Sequence, residues 1–127
     1  MDRFVSIVGD PHIGVFTRVF DDIAVVPPDA PDDLTARYEE ALKVEIVRTT
    51  IQRSPIIGSL LAGNNHGLII TGMAGRDEID ILSEYRDLML LEEGMNAAGN
   101  IILANDHFAA VHPDMDEELM DALGDFL

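Results

Sequence analysis

The sequence contains no cysteine, which excludes disulfide bonds and thiol chemistry for these 127 residues. It also lacks any apolar run near the ~18 residues that a membrane span needs. The first residues show no basic region followed by an apolar stretch, as a signal peptide would. We therefore expect no membrane partner and a cytoplasmic location. Apolar residues make up 47% of the chain, which is ordinary for one folded domain.

Positive charge is scarce as well. Lys43 is the only lysine, and eight basic residues face 24 acidic ones, giving a formal net charge of −16. Such a surface repels phosphate backbones, so we expect little direct binding to nucleic acid. A salty cytosol or a basic protein partner, such as a ribosomal protein, would suit this charge, although solubility alone also accounts for it.

Three glycines mark an internal repeat. Gly14, Gly58 and Gly99 are 44 and 41 residues apart, and an aliphatic residue follows each glycine twelve positions later. Fourteen positions after each glycine stands a proline or another glycine. Matches at nearly fixed offsets indicate a repeated structural unit. The predicted repeats of this single domain are approximately 1–43, 44–88 and 89–127.

Each copy predicts the same succession of elements. Two apolar strands flank a polar turn, and a helix with apolar residues three or four positions apart follows. A further strand then leads into the next copy. Short strands that alternate with helices at a period near 40 indicate an α+β radial array whose units need neighbours. The first strands are predicted at 15–20, 57–62 and 100–103.

The helix boundaries rest on weaker signals. Asp32 and Asp114 are predicted to cap the first and third helices, and Gly124 is predicted to end the third. Apolar residues at helical spacing predict a second helix that includes Ile79 to Leu88. The segment 88–91 fits a strand as well as a helix end.

Polar residues recur at the hairpin turns. Asn64, Asn65 and His66 occupy the same repeat positions as 105–107. Asn, Asp and Gly tolerate the left-handed backbone angles of tight turns, which predicts one turn used repeatedly. Equivalent turns of a radial array point the same way, so some tips could also contact a partner. The candidate binding residues at the turns are Asn64, Asn65, His66, Asn105 and Asp106.

Sites for catalysis, metals or cofactors are not expected. His66 and His107 share a repeat position and should lie apart, and no short-spaced ligand cluster is present. The carboxylate runs fit solvent-facing helix surfaces rather than buried acid–base pairs. The segment 72–76 lacks the glycine spacing and the lysine of a phosphate-binding loop.

The repeat glycines are expected to provide a bend or a close backbone approach. They are predicted to precede strands, and to display Ser59 and Asn100 on one face. Ser59 and Asn100 are therefore candidate binding residues too.

Several segments together resemble one known family, that of archaeal and eukaryotic translation initiation factor 6. Each segment alone is a weak motif, but their order and spacing make the match specific. The best segments are Ile13-Gly14, Ile56-Ile57-Gly58, Ala62-Gly63-Asn64-Asn65-His66-Gly67-Leu68, Ala98-Gly99-Asn100, Asn105-Asp106 and Val111-His112-Pro113-Asp114.

This resemblance implies the pentein fold, a propeller of five strand-hairpin-helix units, of which about three are present here. It implies binding to the large ribosomal subunit, mainly to basic ribosomal proteins near the sarcin–ricin loop. Bound there, the family blocks the small subunit, and it also acts in large-subunit maturation. The resemblance places Asn100 on the ribosome-binding face.

Two other functions compete with this interpretation. Pentein enzymes that modify guanidines depend on a nucleophilic cysteine, which this chain lacks, so an enzyme is disfavoured. Three units of five leave two open ends with a strand edge and an apolar face, which favours self-association as a non-ribosomal interaction module.

Overall fold

The same order of elements occurs three times in the computed structural model, which describes residues 5–92 and 96–127. Each unit begins with a one-turn helix, continues with a short hairpin and then forms a longer helix. The first unit contains α1 (Ile13–Phe16), β1 (Arg18–Val19), β2 (Ile23–Val26), α2 (Asp32–Leu42) and β3 (Glu45–Arg48). The second contains α3 (Ile57–Leu60), β4 (Ala62–Gly63), β5 (Gly67–Thr71), α4 (Arg76–Ser83) and β6 (Asp87–Leu91). The third contains α5 (Ala98–Ile101), β7 (Ile102–Ala104), β8 (Ala109–Val111) and α6 (Glu117–Phe126).

Each unit carries its own small sheet in a mixed α/β domain. The strand orders are β1-β2-β3, β4-β5-β6 and β7-β8. The second hairpin strand pairs antiparallel with the first, and parallel with the strand that follows the long helix. Every residue of β2 and β5 is buried. These central strands are continuously apolar because both of their faces are covered.

The predicted first strands are wrong in their first halves. Residues 13–16, 57–60 and 98–101 form one-turn helices, and the repeat glycines lie inside these helices rather than before strands. The β-branched residues there favour strands only weakly, and tertiary packing overrides such preferences. The three one-turn helices lie next to one another, with α3 in contact with both α1 and α5. We call this set of three helices the hub.

The second long helix is shorter than its apolar stripe predicts. It ends at Ser83, so Tyr85 and Leu88 lie outside it. Leu88 belongs to β6 and stands opposite Leu68 in the parallel register. The strand interpretation of 88–91 is therefore correct, because pairing with β5 satisfies the backbone there.

The predicted helix boundaries also shift. Pro31 rather than Asp32 is the N-cap residue of α2, and Asp116 rather than Asp114 caps α6. The Asp116 carboxylate accepts a hydrogen bond from the Leu119 backbone N–H at 2.7 Å. Helix α6 continues through Gly124 to Phe126, so that glycine does not end it.

Two apolar clusters lie between neighbouring units, and a third lies within the first unit. One cluster joins β2 of the first unit to α3, β5 and α4 of the second. Another joins β4 and β5 to α5, β7 and α6 of the third. Each unit therefore buries its apolar faces against its neighbours. In the third unit Leu103 is 69% and Phe108 76% exposed. No helix among the described residues is long and apolar enough to cross a membrane.

Candidate functional site

The hub is held together by close contact between glycines. A Cβ atom added at Gly58 would overlap the backbone carbonyl oxygen of Gly14. A Cβ atom added at Gly99 would overlap the carbonyl oxygen of Gly58. Since only glycine permits this approach, the equivalent helices of successive units pack backbone against backbone. At Gly14 itself, no atom of residues 5–92 and 96–127 outside its chain neighbours and its own helix backbone lies within 4 Å of the added Cβ.

Two candidate binding residues follow these glycines directly. Ser59 and Asn100 occupy the same position in α3 and α5, one residue after the glycine. Asn100 is exposed and Ser59 is half-buried. Their backbone N–H groups donate to Ile56 and Ala97 at 3.1 and 3.0 Å. Both side chains therefore stand on helical turns whose backbone is fixed by the glycine contacts.

Arg18 crosses the hub from the first unit and was not singled out from the sequence. Its Nε donates to the Leu61 carbonyl at 3.1 Å, and its Nη2 donates to the Gly58 carbonyl. Burial lowers the pKa of the Arg18 guanidinium from its ordinary value. A signal for this role exists in the sequence, because the equivalent positions hold Ala62 and Leu103, which carry no donor.

The hairpin turns are joined to each other by a chain of hydrogen bonds. Asn65 Nδ2 donates to Asp21 Oδ2 at 2.8 Å and to Asp106 Oδ2 at 3.0 Å. Two backbone N–H groups add further bonds: that of Asp21 donates to Asn65 Oδ1 at 3.2 Å, and that of Asn65 donates to Asp106 Oδ1 at 3.0 Å. These three residues occupy one repeat position. We call this chain of contacts the turn ladder.

The turn ladder places an amide between two carboxylates. The two Nδ2 protons of Asn65 supply one donor to each neighbour. The bonds from the Asn65 side chain and backbone lower the pKa of the Asp106 carboxyl below its ordinary value. Asp106 therefore stays ionised in the ladder down to lower pH than an isolated aspartate.

The first residue of each polar turn acts within its own turn. Asn64 Oδ1 accepts from the backbone N–H groups of His66 and Gly67 at 2.8 and 3.1 Å. Asn105 Oδ1 accepts from the equivalent N–H groups of 107 and 108, both at 2.8 Å. Neither asparagine has a positive φ, and at this hairpin the residue with positive φ is Gly63, at 146°. The left-handed angles expected at Asn and Asp are therefore wrong, because side-chain acceptors form these turns instead.

The candidate binding residues at the turns differ in their availability. Asn64 is 4% exposed, and its Nδ2 donates to the Asn105 carbonyl at 3.1 Å. His66 and Asp106 are exposed, and Asn65 is half-buried. Turn residues of all three units line a cavity of about 280 Å³. Among residues 5–92 and 96–127, no group of three or more histidine or acidic side chains could hold a metal ion.

Replacing Asn65 with aspartate should break the turn ladder. Three adjacent carboxylates would then lack the amide donor, and like charges would repel. We expect Tm to fall by roughly 5 °C at low ionic strength, and the difference to shrink in molar NaCl because salt screens exposed charges. Thermal unfolding followed by circular dichroism measures this. The control is Asn96→Asp, which adds the same charge at an exposed site outside the turns. An equal loss in both variants would rule out a specific ladder effect.

A bidentate ion pair ties the second unit to the first. Both Arg86 Nη atoms bond to the Asp22 carboxylate, with Nη1–Oδ2 at 3.2 Å. The guanidinium also lies 6.0 Å from the Phe20 ring centroid. The hydrogen bond from Arg86 lowers the pKa of the Asp22 carboxyl. The turn of the first unit is therefore fixed from two sides.

Glu78 is a buried carboxylate with a structural set of partners. It is 1% exposed and accepts from the backbone N–H groups of Gln52, Arg53 and Gly75 at 2.8, 3.0 and 2.7 Å, and from the Thr50 hydroxyl. Gln52 and Arg53 both have positive φ, at 53° and 62°. Burial opposes the charge, but the four hydrogen bonds outweigh it and lower the pKa of Glu78. The Glu78 carboxylate therefore has a structural role, which is to stabilise the strained turn at residues 52 and 53.

Comparison with known proteins points to one family. The sequence matches the model of the eIF-6 family over residues 2–127. It is 87% identical over 127 residues to a protein of Methanospirillum hungatei named translation initiation factor 6, covering 100% of this chain and 58% of that relative. Proteins of the same name from Methanosphaerula palustris and Methanoculleus marisnigri are 57% and 55% identical, covering 97% and 100% of this chain and 56% and 58% of each relative. The chain thus spans less than two thirds of the length of the curated archaeal relatives it matches.

Proposed function

The chain belongs to the eIF-6 family, and on that premise we propose that it binds the large ribosomal subunit and prevents association with the small subunit. We further propose a role in large-subunit maturation and a cytoplasmic location. The relatives carry the name translation initiation factor 6. The observation that carries the docking proposal is the exposed Asn100 on a hub whose backbone is locked by glycine contacts.

A rigid hub suits steric exclusion. Blocking a subunit needs long occupancy of a surface rather than a reaction, so we propose that the protein is not an enzyme. A stable interface of about 1,200–2,000 Å² would suffice. The net charge of −16 supports docking to basic ribosomal proteins near the sarcin–ricin loop, with little direct contact to RNA. The docking side chains we propose are Asn100, Ser59, Asn65, His66, Asn105 and Asp106.

The closed ring of five units remains a proposal as well. It is supported by the hub, in which Gly58 lies against the Gly14 carbonyl and Gly99 against the Gly58 carbonyl, a contact that further units could repeat. Asn64 contributes to the turn, and its burial leaves little of it for a partner.

The alternative is an interaction module that self-associates through open ends. It is favoured by the exposed Phe108 and by β8, which pairs only with β7 among the described strands. Such a module would sediment as larger species with increasing protein concentration, in the absence of ribosomes.

Replacing Asn100 with alanine should weaken binding to the large subunit. Co-sedimentation with purified archaeal large subunits in sucrose gradients, at two salt concentrations, measures this. We expect the wild-type protein to co-sediment with large subunits and not with small subunits. We expect Asn100→Ala to bind about tenfold more weakly, since a few interface residues carry most of the binding energy. The matched control is Asn96→Ala, which removes the same side chain at another exposed position.

Two outcomes would contradict the proposal. Absence of the folded wild-type chain from the large-subunit fractions would argue against ribosome docking by these units. Binding that is equally weak in both alanine variants would place the docking face away from Asn100.

A further inference from the structure

Arg18 contacts hub helices of two units besides its own. It lies in β1 of the first unit and donates to the carbonyls of Gly58 and Leu61 in the second. Its Nη2 also lies 2.9 Å from the point where a Cβ atom added to Gly99, in the third unit, would stand. Because a guanidinium is planar, two of its bonds fix the orientation of the whole fork. The Arg18 guanidinium is therefore anchored on α3 and lies against α5, next to the contact between Gly99 and the Gly58 carbonyl.

The repeat architecture does not require this arginine. Ala62 and Leu103 stand at the equivalent positions, and neither side chain can donate a hydrogen bond. The glycine contacts recur between the units, whereas the arginine occurs once. A side chain that breaks the repeat pattern suggests a task other than packing one unit on the next.

The contacts of Arg18 lie directly beside the proposed docking side chains. Gly58 precedes Ser59, and Gly99 precedes Asn100. We propose that Arg18 is a positioning residue of the docking face, which holds Ser59 and Asn100 at a fixed separation for the large ribosomal subunit. This inference rests on the proposed function, and it adds a residue that does not itself touch the subunit.

The chain offers a matched control at Arg48. Arg48 Nη1 also donates to two backbone carbonyls, those of Pro28 and Ala30, both at 3.1 Å, but these lie within the first unit. Arg18→Met and Arg48→Met therefore remove the same charge and two bonds to backbone carbonyls, and Arg48→Met also removes an ion pair with Asp32 at 3.7 Å. Arg18→Lys keeps the charge without the fork, and should fall between wild type and Arg18→Met.

The first measurement needs no ribosome. Backbone amide signals in ¹H–¹⁵N spectra report local geometry, and melting temperatures show whether each variant is folded. We expect the signals of Ser59 and Asn100 to shift in Arg18→Met and to stay in place in Arg48→Met. Unmoved signals in Arg18→Met would overturn the inference.

The second measurement is a double-mutant cycle of binding to the large subunit. We expect Arg18→Met and Asn100→Ala each to lower affinity about tenfold, and the double variant to lose little more than either, because both act through one contact. Losses that multiply fully would overturn the role of Arg18 and leave the proposed function intact. A wild-type chain that does not bind would contradict the proposed function, and the docking role of Arg18 with it.

Discussion

Gly58→Ala is expected to destabilise the protein by more than about 4 kcal/mol, or to prevent folding. The added methyl would overlap the Gly14 carbonyl oxygen and lie 2.7 Å from the Thr17 carbonyl oxygen. Both are backbone atoms, which cannot rotate away as a flexible side chain could. The first and second units would have to separate, and the apolar cluster between them would open.

Gly14→Ala provides the matched control. It is the same substitution at the same repeat position, but within the described part of the chain no atom beyond its neighbours and its own helix backbone lies within 4 Å of the new methyl. Alanine favours helical backbone over glycine, so we expect no loss, or a gain of up to about 1 kcal/mol. Urea unfolding of both variants measures the free energies of unfolding. Similar effects at the two positions would show that the glycine contact does not hold the units together.

Glu78→Ala is expected to lower the free energy of unfolding by about 3–5 kcal/mol. It would leave the partly buried N–H groups of Gln52, Arg53 and Gly75 without their acceptor. Two of these N–H groups belong to residues with positive φ, so the turn would also lose the group that offsets its backbone strain. Glu78→Gln keeps one acceptor oxygen and should lose less. Urea unfolding at neutral pH provides the comparison.

The pH dependence of Glu78 has a defined sign. Its folded pKa is lowered from the ordinary value of 4.5. The ionised carboxylate therefore contributes its full stability above that value, and the contribution is lost as pH falls through the folded pKa. Between neutral pH and pH 3, wild type should lose more stability than Glu78→Gln. The control is Glu84→Gln, which removes an exposed carboxylate nearby. A wild-type pH profile identical to that of Glu78→Gln would contradict this account.

The first unit contains an equivalent turn with positive φ angles, and there it has no carboxylate partner at the position of Glu78. The turn at 7–10 also has two residues with positive φ, Val8 and Gly9, at 49° and 78°. The position equivalent to Glu78 there is Leu34, which is fully buried. Glycine in that turn reduces the strain, so an apolar side chain can replace the carboxylate. The comparison supports a structural role for Glu78.

The family and the positions of the central elements were determined by the sequence. The short apolar runs at 23–26 and 68–70, each bounded by turn residues, predicted strands, and the polar turns lie where the repeat places them. Three glycines at nearly fixed spacing predicted the unit, and the motifs around them predicted the family that the comparisons confirm. These signals are local in sequence, so the residues alone carry them.

The tertiary structure decided which groups meet across units. Residues 15 and 16 were predicted to begin a strand, yet they belong to the helix at 13–16, on which a hub glycine some forty residues later packs. The hydrogen bonds of Arg18, those of Glu78 to residues 52 and 53, and the turn ladder join groups 25 to 44 residues apart. The spacing of apolar residues in the sequence indicates which face of a helix or strand is buried. It does not indicate which backbone carbonyl or amide of another segment lies against that face.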